Sequence, residues 1–279
     1  MGGGDPWTGA CRRGRHRGRP AGDVAEGQGP RMAANDRSGS SEPGGLDRRR
    51  PGSGAPARPL ALHGDIPAPA LIASGQLFDS NPTWPYLVTE RVRGAAIREV
   101  NLGAERAAKV AADLGAIVRR LHTLSPPEAV EERQPLAALR DEAPARLRNF
   151  GLPEHLVEQV PDFLADAEPA RTLVHGDITA DHVFVDHDGL TAIIDWGDAL
   201  VADRSYEIPA VYLDALHGDR RLLARFLDVA NWPRAQLARR GLQGILEFQF
   251  NAISAIATHV DLSKMLTLDG LARHLFKTP

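Results

Sequence analysis

The sequence is poor in several residue types, and each shortage excludes a class of protein. Among its 279 residues there is one cysteine, Cys11, so neither an intrachain disulfide framework nor a cysteine-based metal site can form. No apolar run approaches the ~20 residues that span a bilayer. The first residues also show no apolar stretch of the kind found in secretory signals. We therefore expect a cytoplasmic protein without a membrane partner.

Acidic residues are scarce at the start of the chain, and basic residues are outnumbered after it. Of the 33 basic and 36 acidic residues, 11 and 6 lie in residues 1–58, which leaves 22 and 30 for the remainder. The main part of the chain is therefore acidic. This argues against nucleic acid as its ligand, since nucleic-acid sites need basic surfaces, and it suits a cationic small molecule.

Bulky apolar residues are almost absent from residues 1–58. This segment holds 14 of the 27 glycines, has Leu46 as its one leucine, and contains no isoleucine, phenylalanine or tyrosine. Such a composition cannot bury enough apolar surface to offset the entropy of ordering. The sequence predicts a disordered Arg/Gly/Pro-rich extension over 1–58.

Short apolar segments bounded by turn residues follow. They predict strands over 70–78 and 86–92 near the start of the ordered region. Three more are predicted over 172–174, 182–185 and 190–195, the last two joined as a hairpin.

Helical periodicity accounts for most of the remaining chain. The clearest helix is predicted over 104–124, where apolar residues recur on one stripe. Further helices are predicted over 135–150, 153–167, 205–215, 219–229, 234–258 and 267–275, and the one over 153–167 is expected to be interrupted near Pro161.

Three chemistry-bearing side chains converge around the predicted hairpin. Asp177 follows a short strand and a glycine, His182 opens the next strand, and Asp195 ends the strand after that. A hairpin would bring His182 and Asp195 to one end, beside the loop that carries Asp177. Phosphoryl transfer needs such a set, because one carboxylate orients the attacking hydroxyl and another holds Mg²⁺ against the nucleotide phosphates.

Two motifs carry a family resemblance, namely His175-Gly176-Asp177 followed by His182, and Ile194-Asp195-Trp196-Gly197-Asp198. Together they resemble the aminoglycoside phosphotransferase family, whose fold is protein-kinase-like, with the closest likeness to hygromycin B kinases. The resemblance implies an α+β fold with a mostly helical C-lobe, a small catalytic β-hairpin and an N-lobe truncated to about two strands. It implies a residual N-lobe and hinge over 59–94 and a C-lobe over 95–279.

The resemblance also implies roles for site residues. Asp177 would be the catalytic base, Asp195 would bind Mg²⁺, and His182 would be a second metal ligand. The chain would move the γ-phosphate of ATP or GTP to a hydroxyl of a small, cationic, aminoglycoside-like antibiotic.

Other residues are given binding or structural roles, the hinge residues by the resemblance and the rest by their own chemistry and charge. The candidates for nucleotide contact are the hinge residues Thr89, Glu90 and Val92. Acidic candidates for binding the acceptor are Asp198, Glu207, Asp214 and Asp261. The residues given structural roles are His175, Trp196 and Asp203.

His182 departs from the family pattern, which has asparagine at this position. Mg²⁺ prefers oxygen ligands, and imidazole is a poor substitute. Three alternatives stay open: a weakly held second metal, tolerance of Mn²⁺, or a hydrogen bond from His182 that orients Asp177.

The phosphate-binding part of the N-lobe is the second departure. The chain has three lysines, Lys109, Lys264 and Lys277, and all of them follow the hinge. Neither the strand lysine nor the Gly-rich loop of the family can be identified. This favours an alternative in which the chain is a catalytically impaired pseudokinase or a truncated gene product. The exposed edge of a two-strand N-lobe also favours a homodimer.

Overall fold

The computed structural model describes residues 66–77, 85–131, 135–167 and 172–277. The predicted disordered extension over 1–58 lies outside the described residues.

The strands form three small antiparallel sheets. The strands are β1 Leu71–Gln76, β2 Pro85–Thr89, β3 Ala95–Ala96, β4 Thr172–Val174, β5 Val183–Val185, β6 Leu190–Ile193 and β7 Leu200–Ala202. Their pairing orders are β1-β2, β3-β5-β6 and β4-β7.

The predicted hairpin at the catalytic motif is confirmed. β5 and β6 pair with Val183 opposite Ile193, so His182 and Asp195 emerge at the same end. β3 adds to the other side of β5 and connects this sheet to the segment after the hinge. The short strand β7, which pairs with β4, is not predicted by the sequence because three apolar residues give no measurable alternation.

Helices make up most of the chain from residue 104 onward. They are α1 Ala104–Leu121, α2 Glu128–Glu131, α3 Leu136–Asp141, α4 Ala143–Asn149, α5 Glu154–Val157, α6 Val160–Ala165, α7 Arg220–Val229, α8 Leu237–Glu247, α9 Ala252–Ala257 and α10 Leu268–Leu275. Short 3₁₀ segments are Ile97–Glu99, Trp196–Asp198, Arg204–Glu207 and Leu262–Lys264, and Pro209–Ala215 is a π-helix. The predicted α+β class is confirmed.

The predicted helix over 104–124 ends at Leu121, and its apolar stripe is buried as expected. Val110, Leu114 and Val118 lie in the main core. α1 packs against α7 at Gly115, where a Cβ would lie 2.5 Å from the carbonyl oxygen of Phe226. The glycine therefore allows the two helices to approach closely.

Several predicted long helices are interrupted. The helix predicted over 135–150 is split into α3 and α4, and Pro144 stands in the first turn of α4, where its missing N–H is not needed. The interruption predicted near Pro161 is confirmed, because 153–167 is divided into α5 and α6, with Pro161 in the first turn of α6. The helix predicted over 234–258 is broken after Glu247, because Phe248 takes an extended conformation. None of the described helices is long and apolar enough to cross a membrane.

Candidate active site

The loop that carries Asp177 begins at the end of β4. Gly176 has a φ of +84°, a left-handed conformation that disfavours other residues. A Cβ at this position would also lie 2.6 Å from the carbonyl oxygen of Asp198. Gly176 therefore allows both the turn and the contact between the two motifs.

A buried carboxylate fixes the backbone of this turn. Glu207, in the 3₁₀ segment Arg204–Glu207, accepts hydrogen bonds from the backbone N–H of His175 at 2.6 Å and of Gly176 at 3.4 Å. Burial raises the pKa of Glu207 to about 7, against the opposing effect of the two N–H donors. Because Glu207 is wholly buried, we leave it out of the acceptor site, for which the sequence made it a candidate.

His175 joins the two motifs as a neutral imidazole. Its Nδ1 accepts from the backbone N–H of Asp177 at 3.2 Å, so Nε2 donates to the carbonyl oxygen of Ile194 at 3.0 Å. Complete burial lowers its pKa to about 4. Its ring packs against Trp196 with centroids 4.4 Å apart. These contacts connect the Asp177 turn to the end of β6.

Asp195 stands at the turn between β6 and the 3₁₀ segment Trp196–Asp198. Its backbone is left-handed, with φ 60° and ψ 65°, which is uncommon outside glycine and is often retained at functional sites. Its side chain is 58% exposed, in contrast to 14% for Asp177. The backbone conformation thus directs an open carboxylate toward solvent next to the catalytic loop.

His182 lies between the two aspartates. Its Nδ1 is 2.9 Å from the Asp177 carbonyl oxygen and 3.2 Å from Asp177 Oδ2, and its Nε2 is 3.7 Å from Asp195 Oδ2. Thr179 Oγ1 is a further neighbour of Nδ1, at 3.1 Å. The side-chain hydrogen bond with Asp177 is the largest cause that raises the pKa of His182 to about 9.

These contacts bear on the three alternatives for His182. Nδ1 faces Asp177, which fits orientation of that aspartate by an Nδ1–H, while Nε2 faces Asp195. The contacts are compatible with orientation of Asp177 and with ligation through Nε2, and ligation by His182 stays a prediction. The chemistry of Asp195 does fit Mg²⁺, since an exposed carboxylate that shares the ion with nucleotide phosphates is a common form of Mg²⁺ site.

The acidic candidates for acceptor binding lie in different settings. Asp198 Oδ1 accepts from Gln249 Nε2 at 2.9 Å and is half-buried near Trp196. Asp214 accepts from the backbone N–H of Ala180 at 2.6 Å. Asp261 caps the 3₁₀ segment Leu262–Lys264 and pairs with Lys264. Asp198 and Asp214 therefore belong to the surroundings of the catalytic loop, whereas Asp261 is engaged within its own segment.

Asp203 has a structural position. Its Oδ1 accepts from the backbone N–H and the hydroxyl of Ser205, and its Oδ2 pairs with Arg240 at 2.9 Å. It thereby caps the 3₁₀ segment that ends in Glu207 and supports the carboxylate that fixes the Asp177 turn.

The hinge residues follow β2. Thr89 pairs with Leu71 at the end of the hairpin, and the N–H of Glu90 donates to Ala70 at 2.9 Å. Among the described residues, no hydrogen-bond partner is found for the Glu90 carbonyl or the Val92 N–H. Contact of the nucleotide with Thr89, Glu90 and Val92 stays a prediction.

One residue next to the catalytic loop has no counterpart in the sequence prediction. Arg98 contacts Asp181 and Asp214. Its partners lie 83 and 116 residues away along the chain, so no local pattern could have revealed it.

Comparisons with known proteins bear on the same region. A model of the phosphotransferase enzyme family matches residues 55–242, a range that includes Asp177, His182 and Asp195.

Solved structures give similarities at low identity. Aminoglycoside phosphotransferase APH(4)-Ia, as a thermostable mutant with ADP and hygromycin B, is 17% identical, with 77% of this chain and 78% of that chain covered and a TM-score of 0.49. The enzyme APH(3″)-Id from Streptomyces rimosus, with ADP and streptomycin, is 20% identical over 66% and 75%, with a TM-score of 0.48. An aminoglycoside-3′-phosphotransferase of type VIII is 24% identical over 65% and 73%, with a TM-score of 0.45.

Proposed function

The chain belongs to the phosphotransferase enzyme family, and from that premise we propose that it transfers the γ-phosphate of ATP or GTP to a hydroxyl of a small, cationic, aminoglycoside-like antibiotic. The observation that carries this proposal is the linked set of Asp177, His182 and Asp195. Asp177, the proposed base, and Asp195, an exposed carboxylate, lie on the two sides of the His182 imidazole.

Asp177 acts as the general base. His182 is within hydrogen-bond distance of Oδ2, which leaves Oδ1 to accept the proton of the acceptor hydroxyl. As that oxygen attacks the γ-phosphorus, the bond to the β-γ bridging oxygen breaks, the nucleoside diphosphate leaves, and the proton passes to Asp177. Glu207 and His175 fix the turn that carries Asp177. The Asp177 carboxylate is therefore held in place and orients the acceptor hydroxyl.

Asp195 would hold Mg²⁺, and the ion would neutralise negative charge on the β- and γ-phosphates. The nucleotide base would contact the hinge at the Glu90 carbonyl and the Val92 N–H, with Thr89 beside it. In support of this placement, the Glu90 carbonyl and the Val92 N–H have no hydrogen-bond partner among the described residues.

The acceptor is proposed to lie on the acidic side of the catalytic loop. Asp198 is half-buried next to the end of β6 and carries one described partner, Gln249, so a carboxylate oxygen is left for an ammonium group. Asp214 is the second acidic candidate next to the loop, where it accepts from the Ala180 N–H and also pairs with Arg98.

A second candidate function is favoured by the position of the lysines. All three lysines, Lys109, Lys264 and Lys277, lie after the hinge. Lys109 pairs with Asp113 and Lys264 pairs with Asp261. A chain that lacks the phosphate-binding lysine would bind nucleotide or acceptor without turning it over.

One experiment separates the two candidates. Nucleotide hydrolysis and transfer are measured across an aminoglycoside panel for the wild-type chain, for Asp177→Asn and for the matched control Asp188→Asn, an exposed aspartate in the β5-β6 turn. Loss of a general base costs on the order of 10²–10⁴-fold in rate, so we expect at least about a hundredfold loss in Asp177→Asn and none in the control.

Two results would go against the main proposal. Turnover that survives Asp177→Asn would exclude Asp177 as the base. The absence of turnover for any acceptor, together with no metal-dependent rise in melting temperature on addition of ATP, would favour the second candidate, and a clear rise would count against it.

A further inference from the structure

A single guanidinium joins three parts of the chain beside the catalytic loop. Arg98 lies in the 3₁₀ segment Ile97–Glu99, directly after β3. Its Nε donates to Asp181 Oδ1 at 2.7 Å, and its Nη2 lies 2.8 and 2.9 Å from the two carboxylate oxygens of Asp214. Asp181 belongs to the loop between Asp177 and His182, and Asp214 belongs to the π-helix Pro209–Ala215.

Arg98 and Asp214 also hold the backbone of the loop. The backbone N–H of Arg98 donates to the Ala180 carbonyl oxygen at 3.1 Å, and Asp214 Oδ1 accepts from the Ala180 N–H at 2.6 Å. Both hydrogen-bonding groups of the Ala180 backbone are thus satisfied from outside the loop. Ala180 stands three residues after Asp177 and two before His182, so its position influences both.

We propose that Arg98 is a positioning residue for phosphoryl transfer, acting through Asp181 and Asp214 to hold the loop that carries Asp177 and His182. The proposal rests on the function proposed above. The described contacts of the Arg98 side chain are with Asp181 and Asp214, and not with Asp177 or Asp195. Its effect is on geometry, and a misplacement of a catalytic group by about 1 Å can cost on the order of 10²-fold in rate.

The identity of the residue matters for this role. A planar guanidinium can bind two carboxylates at once with fixed angles, whereas a lysine ammonium is a point charge on a flexible stem. The π-helix that presents Asp214 is itself a rare conformation, and single π-turns occur often at functional sites. Arg98→Lys should therefore restore only part of what Arg98→Ala loses.

The chain offers a matched control. Arg148 forms a comparable two-point ion pair with Glu154, with contacts of 2.7 and 2.6 Å and half-exposed side chains. This pair joins α4 and α5 and has no contact with the loop of Asp177. Exposed ion pairs contribute little to overall stability, so Arg98→Ala and Arg148→Ala should both fold, with similar melting temperatures.

Amide hydrogen exchange tests the contact independently of any activity. In Arg98→Ala and Asp214→Ala, peptides that cover residues 177–182 should exchange at least about fivefold faster than in the wild type, and Arg148→Ala should leave them unchanged. Equal exchange in all four proteins would overturn the proposal.

Kinetics then test the catalytic consequence. We expect kcat to fall at least tenfold in Arg98→Ala while the acceptor KM does not rise, and Arg98→Lys to recover part of kcat. Faster exchange with unchanged kcat would exclude a positioning role. If the wild-type chain turns over no acceptor, the proposed function fails, and the exchange result still decides whether Arg98 holds the loop.

Discussion

At the scale of single residues, His182 is the most informative position in the site. A neutral amide there could donate one hydrogen bond to Asp177, but it could not carry charge. The imidazole lies between two carboxylates, and its proton is held because of them. Without a metal, His182 therefore serves as the local counter-charge for Asp177 and Asp195.

This arrangement predicts a specific pH dependence of stability. The folded-state pKa of His182 is about 9, above its ordinary 6.5, so the stabilisation is fully present below pH 6.5 and is lost as the pH rises through 9. One pKa unit corresponds to about 1.4 kcal/mol. After allowance for solvent screening at a half-buried site, we expect the wild type to lose about 1 to 2 kcal/mol over this range, and His182→Asn to lose none of it.

The measurement is urea unfolding between pH 6 and 10 with a chelator present. His187→Asn, which removes an exposed histidine in the neighbouring turn, should retain the wild-type dependence. Parallel curves for wild type and His182→Asn would show that His182 is not held as a cation.

At the scale of elements, the turn after β4 determines where the base stands. It combines a left-handed Gly176, two N–H groups bound by Glu207, and a histidine that bonds to the end of β6. The turn before Asp177 is thus held by buried residues, while Arg98 contacts the loop after Asp177, at Asp181. The position of Asp177 is set by several elements rather than by its own strand.

Substitution of two glycines separates conformational strain from steric contact. Gly176→Ala places a Cβ 2.6 Å from a backbone oxygen at positive φ, whereas Gly151→Ala, also at positive φ, meets nothing within 4 Å. A left-handed alanine costs roughly 1 to 2 kcal/mol. We expect this cost alone for Gly151→Ala, and about 2 kcal/mol more for Gly176→Ala because a rigid backbone contact is added. Denaturant unfolding measures both, and equal losses would contradict the contact.

At the scale of the whole molecule, the described apolar residues are distributed unevenly. Those after residue 95 are largely buried, while the β1-β2 hairpin exposes leucine, isoleucine, tyrosine and valine side chains. A two-stranded hairpin alone is marginally stable in water. A homodimer through the hairpin edge stays a prediction.

The homodimer prediction is tested by sedimentation velocity over a range of concentrations. Ile72→Lys, at a position that is 65% exposed on β1, should shift the protein toward monomer because a charge opposes burial in an interface. Leu266→Lys, at an 81% exposed site outside the hairpin, should not. A wild-type protein that is monomeric at all concentrations would remove the prediction.

The sequence predicted the elements of the fold better than their limits. The strand over 172–174 and the stripe of α1 follow from local periodicity, and the structure has them at those places. The helix predicted over 135–150 is divided before Pro144, and the one predicted over 234–258 is interrupted because Phe248 is extended. Glu207 illustrates a different difficulty, since its charge made it a candidate for acceptor binding, whereas the structure buries it completely and pairs its carboxylate with two backbone N–H groups.

By itself, the sequence determined which groups could perform chemistry. Asp177 and Asp195 follow the ends of strands. Their positions could be predicted because a short strand, a glycine turn and a hairpin are each specified by a few neighbouring residues. The tertiary structure alone decided how those groups are held, through Glu207, His175 and Arg98. These contacts join residues that are far apart in the chain, where their energies depend on packing and burial, which no short segment specifies.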